Sequence, residues 1–303
     1  MKKSLVLIVF FLIIAGIVWL GFLAKKINFP VRQPADSGKI EAVATLFPLY
    51  DFAKIIGGNR ANVSLLLPPG MEAHSFEPTP ENIIRISNAD TFIYMGDLME
   101  PWAKDVLSGA GNKNLIAVNA SGNLVLTGGD PHVWLDFSNA QKIADKITLA
   151  FSQKDAANSA AYFASAENLK NQLADLDKEF AAGLSHCETK TLIHGGHYAF
   201  GYLAKKYGLN YLAAQGFMPD SEPTARDLAE LVSQIRAGGI KYIFYEELSS
   251  PKIAETISGE TAAKLLMLNG AHNITKSDLE KGVSFIDIMK ENLVNLKIGL
   301  GCR

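Results

Sequence analysis

The sequence predicts an α/β protein of two lobes, each a parallel-rich sheet flanked by helices, joined by one long backbone helix with a cleft between the lobes. Three observations predict it. From Ile40 onward short β-branched runs alternate with longer helical patterns, the same rhythm recurs in the second half, and one unbroken amphipathic stretch separates the two. At 303 residues, with 48% hydrophobic and 20% charged side chains, the chain can bury a substantial core and is not a disordered protein.

The N-terminus stands apart. Ser4–Ala24 is an uncharged run of 21 residues bracketed by Lys2, Lys3, Lys25 and Lys26, and as a helix it would measure about 32 Å against about 30 Å of bilayer hydrocarbon. It ends in bulky residues and lysines rather than a small-x-small site, which favours an uncleaved anchor over a cleaved signal peptide. No cysteine lies near its end, so the common bacterial lipid anchor is not supported, and lysines on both flanks leave the orientation open. The expected organisation is a membrane anchor or signal segment over 1–26 and a proline-containing linker over 27–39. An N-terminal α/β lobe over 40–154, a connecting helix over 155–185 and a C-terminal α/β lobe over 186–303 then follow.

In the first lobe EAVATL, NVSLLL and TFIYMG read as strands, separated by the helical patterns PLYDFAKIIGG and TPENIIRISNA, the latter with Pro80 in its first turn. Asp155 to Ala182 contains no Gly or Pro and spaces Tyr162, Ala166, Leu169, Leu173, Leu176, Phe180 and Leu184 by threes and fours. That pattern predicts one long helix with an apolar face. In the second lobe TLI, NYLAA, YIFYE and AKLLML read as strands, and YAFGYLAKKYG, TARDLAELVSQIRAGG, SPKIAETIS and SFIDIMKENLVNLKIGL as helices.

Composition narrows the chemistry. The formal charge is −2, and beyond the four lysines of residues 1–26 the rest carries 25 basic against 31 acidic side chains, which argues against a nucleic-acid partner. With Cys187 and Cys302 alone, a cysteine-based zinc ribbon or iron–sulfur cluster is out of reach, so a metal site must use His, Asp or Glu. No P-loop, G-x-S-x-G or H-E-x-x-H occurs. Six histidines remain. His74 (PPGMEAHSFEPTP), His132 (GGDPHVWLDF), His194 and His197 (TLIHGGHYAF) and His272 (LLMLNGAHNIT) all lie in loops or at strand ends, where open α/β sheets bind ligands. Asp130 or Asp136 could take the second ring N–H of His132, as metal-bound imidazoles require. His186, beside the end of the long helix, reads as solvated. Histidines from both lobes converging on one cleft fit a tetrahedral Zn²⁺ site better than scattered surface roles.

The motifs TLFPLYDFAKIIGG, LLPPGMEAHSFEPTP, DPHVWLDF, HYAFGYLAKKYGL, YIFYEELSSPKIAETIS and SFIDIMKENLVNLK, in this order over about residues 38–300, resemble the metal-binding proteins of zinc and manganese ABC importers, the ZnuA/TroA-like cluster. The resemblance implies two lobes on a backbone helix, little hinge closure and no enzymatic activity. It also implies an extracytoplasmic monomer that hands its metal to an ABC permease and its ATPase. His74, His132 and His197 match three of the family's ligands, and His197 favours zinc because manganese-type members resemble each other in placing a carboxylate there. The sequence departs twice. GNLVLTGGDPH is short where zinc members often carry a His-rich loop, and Asn269 stands at the usual Asp position.

The fourth ligand is therefore open among His272, Glu246, Asn269, His194 and water. Some zinc-type relatives resemble LNPIEGLT in this segment, and LNGAHNIT puts His272 at the Glu, so the expected set is His74, His132, His197 and His272. Four neutral imidazoles leave a +2 centre that carboxylates behind them must offset. A surface adhesin or zinc chaperone is the alternative reading, and a zinc hydrolase with Glu246 or Glu247 as general base a more distant one. An exported domain meets oxidising conditions, and Cys187 and Cys302 are expected to pair.

Overall fold

The structure is a computed structural model describing residues 38–303 apart from 220, 221 and 249. The expected anchor at 4–24 and most of the linker lie outside the described residues. In chain order the elements are β1 (Ile40–Ala44), α1 (Phe47–Gly57), β2 (Ala61–Leu65), α2 (Pro80–Ser87), β3 (Thr91–Tyr94), α3 (Ala103–Gly109), β4 (Ile116–Asn119), α4 (Phe137–Lys154) and α5 (Ser159–Gly183). There follow β5 (Thr191–His194), α6 (Gly201–Tyr207), β6 (Asn210–Ala213), α7 (Ala225–Gly238), β7 (Tyr242–Tyr245), α8 (Lys252–Thr261), β8 (Lys264–Met267), α9 (Lys276–Lys281) and α10 (Phe285–Leu300).

Two four-stranded sheets form, in the orders β2-β1-β3-β4 and β6-β5-β7-β8. Every pairing is parallel, with Ile40 beside Ala61 and Tyr242 beside Lys264 at the outer pairs. Parallel neighbours need a crossover, and the helices supply it, so within each sheet the carboxyl-end loops gather at one edge. Capping sets several helix starts: Thr79 with Asn82 before α2, Thr224 with Asp227 before α7 and Ser284 with Asp287 before α10 each close a reciprocal pair of side-chain to backbone bonds. The pairing of Cys187 with Cys302 is present, tying the chain before β5 to the end of α10.

Several features differ from the sequence expectation, which also leaves the short helices α3 and α9 unnamed. The strand β4 was hidden because four residues show no usable alternation. The helix α4, opened by Asp136 whose carboxylate accepts from the Ser138 N–H at 2.9 Å, was not anticipated. The long helix begins at Ser159 rather than Asp155. Asp155 leaves helical geometry (φ −131°, ψ 77°) to end α4, and its carboxylate takes bonds from Asn158 Nδ2 and Tyr162 Oη, both at 2.7 Å, which fixes a tight 3₁₀ turn over Ala156–Asn158. The apolar stripe is as the spacing predicts: Tyr162, Ala166, Leu169, Leu173, Leu176 and Phe180 are all buried. At about 1.5–3 kcal/mol for each large side chain removed from water, that face holds α5 in place. It packs on α1 and α4 from the first half and on α10 from the second, so both halves share one core. Lys206 of α6 crosses the same seam, reaching Asp136 at 2.7 Å and Asp177 of α5 at 2.9 Å.

Candidate metal centre

Four imidazoles meet where the carboxyl-end loops of the two sheets face each other. His74 comes from the loop after β2, His132 from the turn before α4, His197 from the turn after β5 and His272 from the loop after β8. One nitrogen from each lies within 4.8 Å of the others. His132 and His197 are buried, at 0% and 1% exposure, while His74 and His272 are half-buried.

The hydrogen bonds fix which nitrogens face inward. His132 Nδ1 lies 2.6 Å from Asp130 Oδ1, and His197 Nδ1 lies 2.7 Å from Glu246 Oε1. A carboxylate accepts, so each Nδ1 carries the proton and each Nε2 presents a bare lone pair. Those two Nε2 atoms sit 3.2 Å apart, and His74 Nε2 is another 3.2 Å from that of His132. Lone pairs pointed at each other inside a protein repel unless a cation lies between them. Metal–nitrogen bonds of about 2.0–2.1 Å in a tetrahedron give ligand–ligand edges of about 3.3 Å, which matches this spacing. His272 Nε2 is buried with no hydrogen-bond partner in the protein, as is His74 Nδ1. An orphaned imidazole nitrogen in a cluster of imidazoles fits a fourth ligand.

Electrostatics prepare these rings. Burial, followed by the charge of His197, pushes His74 down to about 3, and burial likewise holds His132 and His272 well below the ordinary imidazole range. They are neutral at physiological pH, the form that ligates a metal. Burial works against the Glu246 carboxylate, yet the hydrogen bond from His197, with the other imidazoles nearby, outweighs it and holds Glu246 down to about 2. Asp130 goes the other way: burial lifts it to about 7 against the bond from the His132 N–H. A cation on His132 would draw that carboxyl back to its ionised form. Two ionised carboxylates one bond behind the rings then balance a divalent charge.

Two glycines make the room. A methyl group on Gly196 would land on Glu246 Oε1, and one on Gly270 would strike the His272 ring. Of the competing fourth ligands, Glu246 is occupied with His197. Asn269 turns away, its Nδ2 donating to Glu247 and its Oδ1 accepting from the Ala271 N–H at 2.7 Å. His194 lies behind the cluster, its Nδ1 donating to the His197 carbonyl at 3.1 Å, and burial lowers it to about 4. Asp136 caps α4 and pairs with Lys206, leaving the His132 ring to Asp130. Sequence reasoning cast Glu246 as a rival ligand; its role as the partner of His197 depends on a contact across 49 residues.

The chain as a whole is similar to known proteins. A family model described as zinc-uptake complex component A, periplasmic (ZnuA), matches residues 42–299. The chain belongs to that family. It is 36% identical over 294 residues to the high-affinity zinc uptake system protein ZnuA of Bacillus subtilis, covering 90% of this chain and 92% of that protein. It is 34% identical to the zinc-binding lipoprotein AdcA of Streptococcus pneumoniae, of which it spans only 57%. The Zn(II)-bound ZnuA-like domain of the pneumococcal AdcA superposes with a TM-score of 0.78 at 36% identity, covering 87% of this chain and 99% of that one. The laminin-binding protein Lmb of Streptococcus agalactiae, described as having adhesin and metal-transporting activity, gives 0.80 at 28% identity, over 86% of this chain and 99% of that one.

Proposed function

We propose that this protein captures Zn²⁺ outside the cytoplasm and delivers it to an ABC permease and its ATPase, as a solute-binding protein and not an enzyme. The observation that carries the reading is the pair of carboxylate-backed imidazoles, His132 and His197, whose lone pairs face each other at 3.2 Å. Zn²⁺ is the cargo, held by His74, His132, His197 and His272. Four protein ligands close the coordination shell, whereas a catalytic zinc keeps a position for water, which weighs against a hydrolase with Glu246 or Glu247 as base. An all-imidazole set also favours Zn²⁺ over Mn²⁺, which prefers carboxylate, carbonyl and water oxygens. The relatives' zinc-uptake names and the periplasmic family description support the same cargo and compartment. Residues 4–24 tether the domain to the membrane, and the described part works as a monomer.

Metal analysis of the purified chain after exposure to mixed Zn²⁺ and Mn²⁺ tests the reading: one Zn²⁺ per chain is expected, and retained Mn²⁺ in preference overturns it. The likeness to Lmb supports a second reading, attachment to laminin, in addition to transport. Binding of the chain to a laminin-coated surface, with and without bound Zn²⁺, decides that reading on its own.

A further inference from the structure

His272 is carried by the second sheet, yet the loop that presents it is fastened to the first half of the molecule. Trp134 Nε1 donates to the Gly270 carbonyl at 2.9 Å, and its indole packs edge-on against both the His132 and His272 rings, 5.4 and 5.3 Å from their centroids. The Phe47 N–H donates to the His272 carbonyl at 3.2 Å. Asn273 is buried, at 2% exposure. Its Nδ2 donates to two carbonyls of the His74 loop, Pro68 at 2.7 Å and Met71 at 2.8 Å, while its Oδ1 accepts from the Ile274 N–H at 2.8 Å. Between these fastenings Ala271 is fully buried in a left-handed conformation, φ 55°, that a non-glycine residue adopts only when its surroundings impose it.

From this arrangement we infer that Asn273 and Trp134 are positioning residues that hold His272 at the cargo from across the cleft. The inference rests on His272 being a ligand, as proposed above. Both N–H bonds of Asn273 point at the loop carrying His74, so one carboxamide sets the spacing of two ligands that come from different sheets. Trp134 does the same for His132 and His272, because the turn that carries His132 also carries the indole. Neither side chain touches the cargo; each acts through the loop of an imidazole that does. Supporting partners of metal ligands are commonly carboxylates or carbonyls on the ring itself. Among the described residues no carboxylate is bonded to the His272 ring, and its loop is held through the backbone instead.

Asn273→Asp is the discriminating substitution. It keeps the shape of the side chain and the acceptor for Ile274, but replaces the two donors with an oxygen facing the Pro68 and Met71 carbonyls. Zn²⁺ affinity, measured by chelator competition on the full chain, is expected to fall about 10- to 100-fold, the usual loss when a supporting partner is removed. In a His272→Ala background the same substitution should have almost no further effect, since the ligand it positions is gone. Co²⁺ substituted into Asn273→Asp should lose the intense visible bands of a four-coordinate centre. Trp134→Phe, which removes the N–H together with part of the buried ring volume, should act in the same direction and add little in His272→Ala.

If Asn273→Asp fails to fold, Asn273→Ala removes the two donors without adding charge and carries the same expectations. An equal loss in both backgrounds would show that Asn273 merely stabilises the seam, and overturns the inference. A silent Asn273→Asp beside a weakened His272→Ala overturns the inference alone. Unchanged affinity in His272→Ala overturns both the inference and the four-histidine reading.

Discussion

The two halves of the molecule share a strand order and differ in what they place at the end of the third-numbered strand. In the first half Glu100 folds back on β3, its Oε2 accepting from the Met95 and Gly96 N–H groups at 2.7 and 3.0 Å. In the second half Glu246 follows β7 directly and meets His197. Both carboxyls are buried, at 2% and 9% exposure, yet Glu100 is pushed up to about 7 by burial while Glu246 is held down to about 2. Burial acts in the same direction on both. The difference is the histidine cluster beside Glu246, and it teaches that the polar neighbours of a buried carboxylate, not its depth alone, decide whether it is ionised. Within the site the halves match more closely: among the described residues each supplies one imidazole with a carboxylate bonded at its back, His132 or His197, and one without, His74 or His272.

If that pairing of backed and unbacked rings governs affinity, removing a backed ring should do most damage, since it deletes a ligand and leaves a buried carboxylate without its partner. His132→Ala and His197→Ala are expected to abolish retention of Zn²⁺ through dialysis. His74→Ala and His272→Ala should weaken it by at least about 10- to 100-fold, taking the loss of a supporting partner as a floor. A competition titration that ranked His74→Ala above His132→Ala in severity would break the comparison. Next in size come the carboxylates: Asp130→Asn and Glu246→Gln should each cost about 10- to 100-fold. Similar losses would show the two halves to be equivalent, and a silent Asp130→Asn would confine the electrostatic role to Glu246.

A smaller effect separates Glu100 from Glu246 by pH. Because its folded pKa lies above the unfolded value of about 4.3, Glu100 lends stability that is fully present below that value and is lost as pH rises through about 7. Glu100→Gln, neutral throughout, should therefore match the native chain near pH 4 and exceed it in denaturant midpoint at pH 8, with metal chelated in both. A constant difference across that range would contradict the assignment. The smallest expected effect is at His186, outside the cluster, where His186→Ala should leave Zn²⁺ affinity unchanged in the same titration.

Much of this was legible before the structure. The ligand candidates stood out because four histidines follow strands in a family-like order, and the stripe from Tyr162 to Phe180 announced the backbone helix through its spacing alone. What stayed hidden depends on distance in sequence. Trp134 meets Gly270 across 136 residues and Asn273 meets Pro68 across 205, and no periodicity encodes either contact. The start of α5 was misplaced because Asp155 is compatible with a helix until its side chain finds Asn158 and Tyr162. Asp130 was one of two options for His132, and only the competing use of Asp136 at Lys206 and the α4 cap separates them.

The Cys187–Cys302 bond joins positions 115 apart in sequence and encloses the whole second sheet. In covalent terms that half is a ring with a single stem, the chain running back through α5, whereas the first half is an open thread. A protease nick in any loop between β5 and α10 would cut the ring without releasing a fragment, so Glu246, His197 and His272 would stay attached to the stem. A nick between His74 and His132 would separate those two ligands as soon as packing failed, and one between His132 and α5 would free both from the stem. The ring thus keeps His197 and His272 on the stem after any single cut within it, whereas His74 and His132 both depend on an uncut thread before α5.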